Sequence, residues 1–488
     1  MFSSTYLWPL LLLPLAASQS ATDLSWNPPI SSWITNLSDI INGTGTHGFI
    51  FNSSELPKGT EYARTYNWCN MPHVRLEDYP IAPLEYELDY VEVIHRHHKR
   101  TPYESNLFPE EVPPWSCTDT AFSYASKPTG PQAHHPADTS LKTAYHHSSN
   151  PFITPETTNW TCQFPQITHG GLEDSYQHGR DLYSVYHDKH SFLPDLNDQH
   201  VQFRVTNNRI TSQVAGMVIA GMYGSDSMKD LSDSPIVPLH VQPYQIDSLE
   251  PAYSCPAAVG LYSAYAVGSN NTAWLSHLSA AKPFFTTLDA ASKIEANNTD
   301  WHVSFDHYFD NLSARQCHGL PLPPGISQKT ANAVYRLGQH EYSLIYRALE
   351  PSLRFSTGSY GVWLAELADN IEKRWHGKSK VRFRHNVGHD GSISRLLSFL
   401  QVETMVWPGM GAELVFEVYK LGSKESEDVR NGGDGKRWVR VLWGGQVLVS
   451  SNPVLGKMHL MEAEVFLDYI YAITGKKAEK VKDFCNST

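Results

Sequence analysis

Six consecutive cationic or titratable residues stand in one run: His95, Arg96, His97, His98, Lys99 and Arg100, with Pro102 two positions beyond. The pattern suits an anion. Guanidinium forks match phosphate or carboxylate oxygens, and Arg96 and Arg100 lie four apart with His97 between them. A neutral imidazole at that place has a lone pair able to attack phosphorus, while fixed cations neutralise the charge that builds on the phosphoryl oxygens. A solvated basic turn is the commoner fate of such a run, so the elements around it decide.

The run is delivered by a strand. Residues 86–94 read YELDYVEVI, in which Tyr86, Leu88 and Tyr90 alternate with acids and Val91, Val93 and Ile94 give β-branched density. Basic side chains at the exit of a buried strand must gather at its C-terminal edge, where α/β folds place ligand clefts. A second strand–turn–helix pattern lies far along the chain. Residues 380–397, KVRFRHNVGHDGSISRLL, read as strand, glycine, His389-Asp390 and helix. Asp390 is also well placed to cap that helix.

Between them, residues 172–186 carry apolar positions at helical spacing. Residues 202–205 form a short strand that delivers Arg204 into the segment TNNRITSQVAG, where Thr206 or Asn207 is the expected helix cap. Residues 331–349 and 358–377 are strongly helical, and 406–419 with 438–448 read as a strand pair joined across a polar tip. The glycines at 432, 433 and 435 lack phosphate-loop spacing and a following helix, so they are assigned to that hairpin tip.

Arg96-His97-x-x-Arg100-x-Pro102 resembles the R-H-G-x-R-x-P signature of the histidine acid phosphatases, branch 2 of the histidine phosphatase superfamily. His98 stands where that signature has glycine. In order along the chain, residues 162–194 are similar to the family's G-x-L-T-x-x-G stretch and its helix, and residues 204–215 to its R-S-T-x-x-x-R-T-x-x-S-A segment. His389-Asp390 matches the family's C-terminal His-Asp pair, and 406–448 its last strands. The family's two arginines in the second segment are six apart, whereas Arg204 and Arg209 are five apart. One residue turns a helical side chain by about 100°, so the resemblance is carried to Arg204 and not to Arg209.

The resemblance implies an α/β fold: a large domain with a central mixed sheet flanked by helices, plus a smaller, mainly α-helical cap. It implies His97 as nucleophile, Arg96, Arg100, Arg204 and His389 as the phosphate pocket, and Asp390 as general acid, its pKa raised enough to keep a proton in acidic medium. No metal and no cofactor enter that scheme. The expected division is a signal peptide at 1–18, an irregular extension at 19–83, a first α/β part at 84–215 with a loop insertion at 103–160, the cap at 216–330 and the second α/β part at 331–488.

Composition agrees with a folded enzyme of 488 residues, with 12% aromatic and 18% charged side chains. A net charge of −12 argues against nucleic-acid binding and makes the basic run a local exception. The short apolar run at residues 6–17 reads as a secretory signal. N-x-S/T sites occur at Asn36, Asn42, Asn52, Asn159, Asn270, Asn297, Asn311 and Asn486. Six widely spaced cysteines without a C-x-x-C pair suit up to three disulfides, Cys117 with Cys162 as one. The expected product is therefore a secreted, vacuolar or lysosomal glycoprotein without a membrane span, its partner a small phosphomonoester. Two other readings are weighed: a phosphate-binding protein silenced around His98, and a metallophosphatase using the abundant histidines, which include the pairs at 134–135 and 146–147 but come without ordered Asp-x-His and Gly-Asp pairs of the dinuclear kind.

Overall fold

The computed structural model describes residues 24–30, 34–45, 68–109, 115–117, 122–125, 139–142, 161–194, 196, 199–224, 237–422 and 435–487. The expected signal segment, the paired histidines and the glycine-rich tip before 435 lie outside the described residues. Ten strands occur among those described. They are β1 (Tyr86–Arg96), β2 (Phe122–Ala125), β3 (Thr139–Lys142), β4 (Val201–Val205), β5 (Leu239–His240), β6 (Phe383–Gly388), β7 (Glu413–Leu421), β8 (Arg437–Trp443), β9 (Gln446–Val447) and β10 (Met461–Glu462). β2 and β3 pair alone. The others make one sheet in the order β10–β8–β7–β1–β6–β4–β5, with β9 on β8.

The sheet is mixed, and β1 is where its character changes. β1 runs parallel to β6 and antiparallel to β7; β6, β4 and β5 continue parallel, while β7, β8 and β10 alternate. Both faces of β1 are covered, which is why its second half is a nearly continuous apolar run. Tyr90 and Ile94 join one buried cluster with Ile393, Leu396 and Phe416. Val91 and Val93 join another with Leu182, Phe203 and Val205. The helix His169–Tyr183, which follows β1, therefore packs on one face, and Asp390–Phe399, which follows β6, packs on the other. Adjacent parallel strands whose chains leave to opposite faces open a crevice at their C-terminal ends. The α/β fold with helices flanking a central mixed sheet is thus as expected.

Local details set the strand exits. Asn208, not Thr206 or Asn207, caps the helix Arg209–Tyr223, accepting from the Ile210 amide at 3.2 Å. Thr206 is left at the end of β4 with its hydroxyl free for side-chain partners. His389 caps the helix Asp390–Phe399, so Asp390 is its first turn rather than its cap. The helices His169–Tyr183 and Arg209–Tyr223 cross at backbone contact. A Cβ at Gly179 would lie 2.1 Å from the Val218 carbonyl oxygen, and one at Gly221 would lie 2.0 Å from that of Tyr176.

The stretch expected as a cap holds the helices Pro256–Tyr265, Thr272–Ser292, Thr299–His302 and Asp306–Cys317. Phe285, Trp301, Phe305, Tyr308 and Leu312 from the last three share an apolar cluster with Val334 and Leu337 of the helix Gln328–Ser343. All six cysteines are paired, Cys69–Cys317, Cys117–Cys162 and Cys255–Cys485. One glycosylation expectation is corrected. Asn311 is fully buried, and its amide donates to the Asn106 carbonyl at 2.8 Å while its oxygen accepts from Arg315, so that sequon offers no accessible acceptor.

Candidate active site

β1 and β6 end side by side. Arg96 is in register with Gly388, and the His97 amide donates to the Gly388 carbonyl at 3.1 Å. This places His97 and His389, 292 positions apart in the chain, on one crevice, with ring centroids 5.4 Å apart. His97 is 1% exposed. Its Nδ1 lies 3.0 Å from the His98 carbonyl oxygen, which can only accept, so Nδ1 carries the proton and Nε2 keeps the lone pair. Burial first, and then the charges of Arg96, Arg100 and His389, holds its pKa well below the usual histidine range.

The two arginines flank this ring and are nearly sequestered from water. Arg96 donates Nη1 to the Pro408 carbonyl at 2.7 Å and pairs Nη2 with Asp390 Oδ2 at 3.0 Å. Arg100 pairs with Asp310 at 3.1 Å and lies 4.2 Å over the Tyr103 ring. Each guanidinium is aimed by these contacts. Each also keeps its Nε–H buried without a partner among the described residues. Buried charged donors left unmatched are costly, and an oxyanion is the ligand that satisfies them.

His389 and Asp390 close the other side. His389 accepts the Ser392 amide, as a helix cap, and points Nε2 at Glu250 (2.7 Å) and at Thr206 Oγ1 (3.0 Å). Asp390 Oδ2 takes the Trp407 indole N–H at 2.9 Å as well as Arg96, and Oδ1 takes the Gly391 amide at 2.7 Å. Burial would raise this carboxyl, but Arg96, Trp407, Arg100 and His389 together hold it below the usual carboxylate range. The expectation of a raised pKa is not met in the ligand-free site, because the cationic and donor neighbours outweigh burial.

A family model, the histidine phosphatase superfamily (branch 2), matches residues 87–443. The chain belongs to that family. Among curated relatives it is 23% identical to counting factor 60 of Dictyostelium discoideum over 68% of this chain and 76% of that one. It is 27% identical to lysosomal acid phosphatase of Bos taurus, over 43% of this chain and 49% of the relative. Among solved structures the fold is similar to a Klebsiella sp. ASR1 phytase, with a TM-score of 0.50, 15% identity and coverage of 82% and 96%. A Citrobacter braakii phytase also aligns at TM-score 0.50, with 13% identity and coverage of 80% and 100%.

Against the family signature, His98 turns its ring away from His97 and into a buried histidine group, with Nε2 3.0 Å from His178 Nδ1. Its backbone has no positive φ. The space a glycine would have left is supplied instead by Gly411, where a Cβ would stand 2.5 Å from the His98 ring.

Arg96, His97, Arg100, His389 and Asp390 are brought together; Arg204 is not. Arg204 pairs across to Asn386 of β6, two residues inside the level of Gly388, and its guanidinium is taken by Glu366 (2.7 Å), Ser248 (2.8 Å) and Gln242 (2.5 Å). At the crevice level its strand presents Thr206. Arg209 bonds Gln163 Oε1 at 2.8 Å, and the Gln163 carbonyl accepts from Thr101 beside Arg100. Sequence reasoning also missed Thr206, Glu250, Asp310 and Trp407. Trp407 was visible only as part of a presumed strand and Thr206 only as a candidate helix cap, and Glu250 and Asp310 carry no local pattern.

Proposed function

We propose that this chain is an acid phosphatase that hydrolyses phosphomonoesters through a phosphohistidine on His97. The observation that carries the reading is the pair of buried guanidinium groups, each with an unmatched Nε–H, on either side of an imidazole whose Nε2 keeps its lone pair. Arg96, Arg100 and His389 hold the phosphoryl oxygens. Arg209, between Thr206 on the His389 side and Gln163 on the Thr101 side, takes the outer position first given to Arg204.

His97 Nε2 attacks phosphorus and the P–O bond to the leaving group breaks, with Asp390 giving its proton to the departing oxygen. Water then attacks the phosphohistidine, Asp390 accepts its proton, and phosphate leaves. Asp390 is held as the carboxylate in the ligand-free site, so its proton has to arrive with the substrate. A bound phosphoryl anion competes for Arg96 and repels the carboxylate, raising its pKa. Below about pH 6 the monoester arrives as a monoanion with the proton that Asp390 needs.

His98 facing away from the crevice favours turnover over a silenced binder on this fold. Three disulfides suit an oxidising compartment, hence a secreted, vacuolar or lysosomal enzyme, with the helices between 256 and 317 as its cap. The test is hydrolysis of an aryl phosphate at acidic pH with acid-quench trapping of labelled phosphoenzyme. Wild type should turn over and label at His97, and His97→Ala should do neither. Turnover that survives in His97→Ala would refute covalent histidine chemistry.

A further inference from the structure

Below the catalytic turn, on the face of β1 away from Asp390, three imidazoles converge. His95, His98 and His178 are each fully buried, and one ring nitrogen from each lies within 4.8 Å of the others. Their hydrogen bonds fix where the lone pairs point. His95 Nδ1 is 2.8 Å from the Arg96 carbonyl oxygen, so it carries the proton and Nε2 is bare. His178 Nε2 is 2.7 Å from Glu413 Oε2, so it donates there and Nδ1 is bare. A backbone carbonyl and a carboxylate on the far nitrogen are the outer partners by which metal-bound histidines are oriented. His98 donates Nε2–H to the bare His178 Nδ1 at 3.0 Å and its own Nδ1 is buried without a partner among the described residues, so moving its proton to Nδ1 turns an Nε2 lone pair to the same point.

We propose that His95, His98 and His178 bind one divalent transition-metal ion, zinc being the best match, as a structural site separate from the phosphate crevice. Imidazole donors without oxygens or thiolates select zinc-like ions over magnesium or calcium, and all six cysteines are committed to disulfides. Zinc–nitrogen bonds of about 2.0–2.1 Å set tetrahedral ligands roughly 3.4 Å apart, so the widest pair of ring nitrogens, within 4.8 Å, would close by up to about 1.4 Å. His385 donates Nε2–H to the bare His95 Nε2 at 3.0 Å, a bond the ion would displace. Glu413, at 0% exposure, offsets part of the added charge through His178. The ion would tie the end of β1 to the helix His169–Tyr183, with His97 held between two ligands.

The test is metal content of the purified full chain, read without reference to turnover. After dialysis against zinc chloride and desalting, wild type should retain about one zinc per chain and gain thermal stability. His98→Gln and His178→Gln should lose the ion, and His389→Gln in the phosphate crevice should keep it. Should the cluster variants fail to fold, cobalt(II) added to wild type reads the site directly. Intense tetrahedral ligand-field bands support it, and weak octahedral bands refute it. A wild type that holds less than about a tenth of an equivalent after zinc dialysis overturns the proposal, as does zinc retained at full stoichiometry by folded His178→Gln.

Discussion

At the scale of single residues, the division of labour proposed for His97 and Asp390 has separable signatures. Removing the general acid should matter in proportion to how badly the leaving group needs a proton. Asp390→Asn is expected to lower kcat on alkyl phosphates by about 10²–10⁴-fold and on a nitrophenyl ester far less. Equal losses on both would mean that Asp390 acts by aiming Arg96, with which it pairs at 3.0 Å, instead of by proton transfer. The two arginines of the third segment make a second contrast. Arg204→Gln strands Glu366 and Asp247, so it should cost about 1–3 kcal/mol of stability and move KM by less than about twofold. Arg209→Ala should raise KM for phosphomonoesters by roughly tenfold or more with little change in melting. Steady-state kinetics on the pair decides which arginine serves the substrate. The reverse ranking would return that role to Arg204.

At the scale of elements, the two strand exits were legible because each is a local pattern. A β-branched strand running into Arg96-His97 and a strand–Gly388–His389–Asp390–helix sequence need no distant residue to be read. What could not be read was register. Moving by two residues along β4 decides whether Arg204 or Thr206 reaches the crevice, and that depends on pairing with Asn386 and Val387 of β6, which no local spacing encodes. The orienting groups Glu250, Asp310 and Trp407 come from elements that meet only in the folded chain. The exchange of glycine for histidine at 98 was legible as a departure, but its compensation was not, since Gly411 lies over 300 positions away. That coupling is testable. Gly411 has φ +71° and a Cβ there would meet the His98 ring at 2.5 Å, so Gly411→Ala should cost about 2–4 kcal/mol from strain plus overlap. In His98→Gly the overlap is gone and only the backbone strain remains. The double-mutant cycle, followed by chemical denaturation, should show a coupling of roughly 1–3 kcal/mol. Strict additivity would show that the two positions do not share this space.

At the scale of the whole molecule, the chain before β1 is fastened to the helical body through His340. Its Nδ1 donates to the Ile34 carbonyl at 2.8 Å, its ring is 3% exposed, and the nearby His277 is itself held by Glu341. Burial is the main reason its pKa falls from 6.5 to about 4. Between those values the unfolded chain binds a proton that the folded chain refuses. The contribution is therefore complete above pH 6.5 and is lost as pH falls toward 4, amounting to about 3 kcal/mol at most. On the proposed acid-phosphatase reading, this contact gives up stability in the working range. In His340→Asn the side-chain amide can still donate to Ile34 but cannot titrate there. Melting temperature against pH should then fall less steeply from pH 7 to 4.5 in the variant than in wild type, by a few degrees across the interval. Parallel curves would mean that this histidine is already accommodated as a cation, through water or through movement of the segment carrying Ile34, and that the acid sensitivity of the fold is set elsewhere.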